Sequence, residues 1–348
     1  MIPSDTILTT NREVGERVRQ YLDILTKPPG SLGRLEQLAI ELAAMTAEPF
    51  PRVTPPGVMV FAADHGIAEE GVSAFPQAVT AQMVANFVAG GAAINVFARQ
   101  IDARLEVIDV GVASEVSGLG VVDEKVRRGT ANFAREDAMR REEAEAAIAA
   151  GRRAAGRALE AGCRCLIIGE MGIANTSASS AMVAILLGEP VFSLVGRGTG
   201  IDDARLAHKQ AIIEAAIAAR APDPEDPLGV LASVGGLEIA AMAGVCLEAS
   251  MRRIPLLVDG FIATVAALVA CRLAPSVRDI LLFGHRSREP GHEVVLAALD
   301  ARPLLDLELR LGEGTGAALA FPLLEAACRV LAEMATFEGA GIVTGRAP

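Results

Sequence analysis

Three charged residues stand where chemistry competes with a structural explanation: Lys209, Glu170 and Glu313. Lys209 lies three residues after Leu206 and four before Ile213, on an apolar helical stripe that continues to Ile217. An ammonium on a buried face is costly unless it is paired, so this one reads as a cation aimed at an anionic ligand. The competing reading is a stem that snorkels past the helix to water. Glu170 follows an apolar run and precedes Met171-Gly172-Ile173-Ala174-Asn175-Thr176-Ser177. That order is strand, glycine turn, then Asn, Thr and Ser opening a helix, whose free N–H groups attract phosphate. An ordinary helix N-cap reads the same way. Glu313 has glycine on both sides, in Leu311-Gly312-Glu313-Gly314-Thr315-Gly316. Such a carboxylate is open to close approach and can serve as a general base, or it is a solvated loop glutamate.

These residues need a scaffold, and the apolar runs supply one. Residues 58–63, 105–108, 165–168, 191–195, 254–258 and 280–283 are continuous apolar runs, each ending in glycine and polar or charged residues. Continuous rather than alternating runs suit strands covered on both faces. Helical patterns lie between them, most clearly over 135–161 and 203–220. Strands alternating with helices predict an α/β fold, a doubly wound parallel sheet with helices on both faces. Ligands bind such sheets outside the carboxyl ends of the strands, which is where the charged and glycine-rich motifs fall. Helices are also expected over 5–24, 34–46 and 316–337, the last containing Pro322, with a Pro-Pro-Gly turn between the first two. These terminal helices are expected to form a small helical domain of residues 1–46 and 311–348, leaving 47–310 as the large α/β domain. The acidic, proline-containing segment 221–226 reads as an exposed loop.

Composition narrows the function classes. The 348-residue chain is 51% hydrophobic and has a formal charge of −11, which disfavours nucleic acid as a partner. No run approaches the ~20 uncharged apolar residues of a membrane span. Charges at Asp5, Arg12, Glu13, Glu16 and Arg17 argue against a secretory leader. Five cysteines without a framework spacing predict reduced thiols and a cytoplasmic location. The four histidines make no metal-binding pattern, so no metal or other cofactor is expected. Segments 196–200 and 312–316 imitate dinucleotide fingerprints without their spacing, which leaves an oxidoreductase as a weak alternative.

Taken together, the motifs resemble the nicotinate-nucleotide:dimethylbenzimidazole phosphoribosyltransferase family of cobalamin lower-ligand assembly. The resemblance runs from about residue 25 to 345. It rests on KPPGSLGRLE from Lys27, FAADHGIAEEGVSAFPQAVTAQMV from Phe61, GEMGIANTS from Gly169 and VGRGTGID from Val195. It continues through VGGLEIAAMAG from Val234, LVDGFIATVAAL from Leu257, GHRSREPGH from Gly284 and LRLGEGTGAALAFPLLEAA from Leu309. Each is weak alone; the eight in this order are specific. The resemblance implies transfer of a 5-phosphoribosyl group from nicotinate mononucleotide to 5,6-dimethylbenzimidazole, giving α-ribazole 5′-phosphate and nicotinate. It implies Glu313 as the base and Glu170 in support, orienting the ribose or stabilising positive charge. It places Lys209 and the turn of Gly172, Asn175 and Thr176 at the donor phosphate, and Phe75 and Met83 at the flat acceptor. Asp64 and His65 either only brace the loop at that strand end or, in the case of His65, take part in catalysis. A Rossmann-like sheet, a small helical domain from both termini and a homodimer are also implied. A non-catalytic binding protein for a benzimidazole or its riboside is the third reading, and the intact Glu313 motif speaks against it.

Overall fold

The computed structural model describes residues 10–343 apart from 117, 119 and 199. The elements follow in the order α1 (Arg12–Asp23), α2 (Arg34–Thr46), β1 (Pro56–Ala63), α3 (Val79–Ala89), α4 (Ala93–Gln100), β2 (Arg104–Gly111), β3 (Val122–Asp123) and α5 (Arg141–Glu160). Next come β4 (Cys165–Met171), α6 (Asn175–Leu187), α7 (Val191–Leu194), α8 (Asp203–Arg220), α9 (Pro227–Val234) and α10 (Leu237–Arg252). The chain finishes with β5 (Leu256–Val258), α11 (Phe261–Leu273), β6 (Leu281–Phe283), α12 (Pro290–Ala298) and α13 (Thr315–Glu333).

All six strands are parallel, in the order β3-β2-β1-β4-β5-β6. The α/β expectation therefore holds. Strand β1 is buried throughout and pairs with β2 on one side and β4 on the other, Val60 standing opposite Val107 and Gly169. Helices α5, α10 and α11 pack on the sheet as one group, and α3, α4 and α13 pack on it as another. Strand order reverses between β1 and β4, and a crevice opens at such a switch point.

Five of the six expected strands form. The sixth does not: residues 191–194 are the short helix α7. A short apolar run cannot be told from a helical turn by periodicity, and Pro190 at the N-cap (φ −69°) presets the backbone for a helix. The sheet gains β3 instead, a two-residue edge strand too short to leave a pattern. Helix α5 begins at Arg141 rather than near 135, and α13 ends at Glu333 rather than near 337. Residues 5–9 of the first expected helix, 344–348 of the C-terminal segment, and Thr199 of the 196–200 motif lie outside the described residues.

At the chain ends, α2 lies between α1 and α13. The Thr26 N–H donates to Ala335 O at 2.9 Å and the Phe337 N–H to Ile24 O at 2.9 Å. Helix α13 also packs on β4 and β5, and it runs through Pro322. Residues Val79–Gln100 and Thr315–Glu333 have the length and mean hydropathy of a membrane span. The first is broken between α3 and α4 at Gly90 and Gly91, and 56% of the apolar window of the second is buried inside the protein.

Candidate active site

The loops that follow β4, β5 and β6 line a cavity of about 520 Å³, together with parts of the 72–83 and 310–313 segments and of α8. Two sets of buried polar side chains line it, one around Lys209 and one around Glu170 and Glu313.

The cationic set is built around Lys209. The Asp202 side chain caps α8 by accepting from the Arg205 N–H at 2.9 Å, which fixes where the helix starts. One face then carries Lys209 inward, only 1% exposed. The snorkelling alternative is thereby excluded. Its Nζ donates to Thr176 Oγ1 at 2.9 Å. Burial pushes the ammonium down to about 8, opposed by the carboxylate of Glu289. Glu289 is itself buried and its carboxyl is raised by burial, with Lys209 and Arg310 pulling it back down. Arg310 donates to Gly198 O at 3.0 Å across the same mouth. The first turn of α6 joins this set because Ala174 adopts a left-handed conformation (φ 76°) that turns the chain into the cavity. The Ile173 N–H is taken by Thr80 Oγ1 at 3.2 Å and the Asn175 N–H by Gly172 O at 3.1 Å. Asn175 thus meets the cavity with its side chain rather than through a free N–H.

The carboxylate set holds Glu170 and Glu313, at 7% and 6% exposure. The solvated-loop alternative for Glu313 is also excluded. Asn175 Nδ2 and the Glu313 backbone N–H both donate to the Glu170 carboxylate. Even so, Glu170 is pushed up to about 8, by burial first and then by the negative charge of Glu238, against the lowering effect of Asn175. Glu313 is raised by burial, opposed by the Ile94 N–H that approaches Oε2 at 3.5 Å, and raised further by Asp259. Its backbone is left-handed (φ 64°), an unfavourable conformation for a side-chain-bearing residue. Asp259, just past β5, holds that loop from behind: Oδ2 accepts from the Gly314 N–H at 3.1 Å and Oδ1 from the Ala317 N–H at 2.9 Å. Two glycines let the strand end and the loop interlock. A Cβ on Gly169 would stand 2.2 Å from Glu313 O, and one on Gly312 would stand 2.2 Å from Glu170 Oε1.

Val72, Phe75, Val79 and Met83 form an apolar part of the lining, with Phe75 half exposed. All eight residues singled out from the sequence (Glu313, Glu170, Lys209, Gly172, Asn175, Thr176, Phe75 and Met83) line the one cavity. Asp64 and His65 are buried behind its wall instead. Asp259, His285, Ser287, Glu289 and Arg310 line the cavity and were not singled out. The LVDG and GHRSREPGH segments that hold four of them end in the glycine and polar residues expected past buried strands, which was the available signal. Among the described residues, no group of three or more His, Cys, Asp or Glu side chains is disposed to hold a metal ion. The five cysteines are unpaired thiols.

Comparison with known proteins places this geometry. A phosphoribosyltransferase family model matches residues 7–342. A nicotinate-nucleotide–dimethylbenzimidazole phosphoribosyltransferase of Chloroflexus aggregans is 55% identical over 93% of this chain and 92% of its own. The Chromobacterium violaceum protein of the same name is 54% identical over 94% of each. The crystal structure of CobT from Thermus thermophilus is 51% identical and superposes with a TM-score of 0.92, over 96% of this chain and 100% of that one.

Proposed function

The chain belongs to the nicotinate-nucleotide–dimethylbenzimidazole phosphoribosyltransferase family, and from that premise we propose that it moves the 5-phosphoribosyl group of nicotinate mononucleotide onto 5,6-dimethylbenzimidazole in cobalamin nucleotide-loop assembly. The observation that carries this reading is one cavity lined by a buried lysine and two buried glutamates. The donor carries a phosphate, which suits the buried lysine, and through a ribose a pyridinium carboxylate whose ring nitrogen suits the buried glutamates.

In this reading Lys209, the Thr176 hydroxyl and the first turn of α6 hold the phosphate. The apolar wall of Phe75, Val79 and Met83 takes the flat acceptor and keeps water from C1′. The C1′–N bond to the pyridinium breaks, and its electron pair stays on the ring nitrogen, which leaves neutral. No general acid is needed. A benzimidazole nitrogen attacks C1′ from the opposite face, so a β linkage becomes an α linkage. The second benzimidazole nitrogen then gives its proton to Glu313, whose raised proton affinity suits a base. Glu170, as the carboxylate, stabilises positive charge at the ribose, which strengthens as the bond to the leaving group stretches. The fixed N–H donors from Asn175 and Glu313 favour that ionised form.

The same reading treats residues 47–310 as the catalytic body and 1–46 with 311–348 as a helical unit. It takes the two apolar stretches as interior helices rather than spans, and it makes the protein a cytoplasmic homodimer that needs no cofactor. Five unpaired cysteines support the reducing compartment.

The test is a chromatographic assay with purified protein, nicotinate mononucleotide and 5,6-dimethylbenzimidazole, without added metal. Nicotinate and α-ribazole 5′-phosphate in equal amounts are expected. A folded protein that binds the donor and forms neither product would overturn the reading.

A further inference from the structure

Directly behind the cavity wall, at the strand-order switch point, lies a fully buried hydrogen-bonded pair. His65 Nε2 and Glu238 Oε1 are 2.6 Å apart, and both side chains are 0% exposed. His65 ends the segment leaving β1, and Glu238 sits in the first turn of α10, where the helix dipole favours a negative charge. His65 Nδ1 has no hydrogen-bond partner. With its proton on Nε2, shared with Glu238, the orphan nitrogen is an acceptor; the other tautomer would bury an unpaired N–H. Glu238 Oε2 is likewise buried and unpartnered.

Burial of two unsatisfied polar atoms is expensive. The pair's neighbours show what it contacts. A Cβ on Gly172 would stand 2.6 Å from Ala63 O, 3.1 Å from Glu238 Oε1 and 3.2 Å from His65 Nε2. A Cβ on Gly236 would stand 2.3 Å from His65 Cε1 and 2.8 Å from Glu238 Oε2. The pair therefore fills the space under the turn that leads from Glu170 to the first turn of α6. It also places a carboxylate behind Glu170 itself.

We propose that Glu238, oriented by His65, is a positioning residue of this active site, seating the Gly172 turn and setting the charge behind Glu170. The charge is felt: after burial, Glu238 is the largest influence holding the Glu170 carboxyl near 8. The other groups facing Glu170 are Asn175, the Glu313 N–H and Asp259. Those facing Glu238 are His65 and Asp64, which accepts from the Ala113 N–H at 2.8 Å. The inference rests on the phosphoribosyl-transfer reading. Nicotinate mononucleotide turnover by the unmodified protein tests that reading separately and comes first.

The experiment compares Glu238→Gln and Glu238→Asp with the parent, measuring Tm and then kcat and both KM values from pH 6 to 9. Glu238→Gln removes the charge and keeps the shape. Its acidic limb of kcat/KM for the donor is expected to move down by roughly half a pH unit or more, because Glu170 then ionises more easily. Glu238→Asp keeps the charge and shortens the reach. It is expected to raise the donor KM several-fold, with the limb near the parent's and the acceptor KM unchanged. A Glu238→Gln protein that folds with an unmoved limb, or a Glu238→Asp protein with parental donor KM, overturns the proposal. If Glu238→Gln fails to fold, the Glu238→Asp outcome still decides the seating claim. A merely structural role would lower Tm and move neither readout.

Discussion

Lys209 and Glu170 line one cavity, and burial acts on both to the same effect. The ammonium is pushed down to about 8 and the carboxyl up to about 8. Each group is held where its own ionised form is disfavoured and where an opposite charge from a ligand would relieve it. The two sets differ in their support. Lys209 has a hydroxyl and a nearby carboxylate, all from side chains on separate elements. Glu170 and Glu313 are locked together by backbone, through Gly169, Gly312 and the Asp259 clamp. A binding set needs charge of the right sign, whereas one that moves a proton needs a fixed geometry. The proposed reaction assigns those tasks to these sets.

The largest way to break the comparison is at Glu313. Glu313→Gln should lower turnover roughly 10²-fold or more while leaving Tm and donor binding near the parent, as for a lost general base. Near-normal turnover would remove Glu313 from that role. In the other set, Lys209→Ala should raise the donor KM by roughly 10- to 100-fold, the worth of a charged hydrogen bond, with acceptor KM unchanged. An effect confined to acceptor saturation would reverse the assignment of the two sets.

The pH dependence sharpens the carboxylate set. With Glu170 near 8 in the free protein, kcat/KM for the donor should rise about tenfold per unit up to that region. Stability should run the other way. A carboxyl raised in the folded state binds its proton more tightly than the unfolded chain does, so the cost of ionising it is absent below the usual value near 4.5 and grows until about 8. Glu170→Gln removes that cost. Its stability advantage should widen between pH 5 and 8, by roughly 3–4 kcal/mol, in denaturant titrations at the two pH values. A constant difference would mean that Glu170 is not held neutral by the fold. The smallest effect is expected at the apolar wall: Phe75→Ala, at a half-exposed ring, should raise the acceptor KM by roughly 3- to 10-fold and leave the donor KM alone.

How much of this was legible depends on what kind of signal each feature leaves. Buried parallel strands leave continuous apolar runs, so β1, β2, β4, β5 and β6 could be read directly. Helix α8 could be read to its ends, because Asp202 caps it and Lys209 marks its inner face. Residues 191–194 could not, since four apolar residues behind a proline serve a helical turn as well as a strand. Glu313 could be singled out by its glycines, but its burial came from Gly169, a residue far away in the chain whose missing side chain admits the loop. Glu238 stands within the VGGLEIAAMAG motif but was not singled out there. A glutamate in the first turn of a helix looks like an ordinary dipole partner, and only the fold brings His65 against it.

In the proposed reaction one zwitterionic donor satisfies Lys209 and Glu170 at once. Calorimetric titration of nicotinate mononucleotide at pH 8, in two buffers of different ionisation heat, measures the protons exchanged on binding. A donor that raises the affinity of Lys209 for its proton and lowers that of Glu170 should give nearly cancelling exchange in the parent, net uptake in Glu170→Gln and net release in Lys209→Met. Equal exchange in all three proteins, or the opposite signs, would contradict the claim.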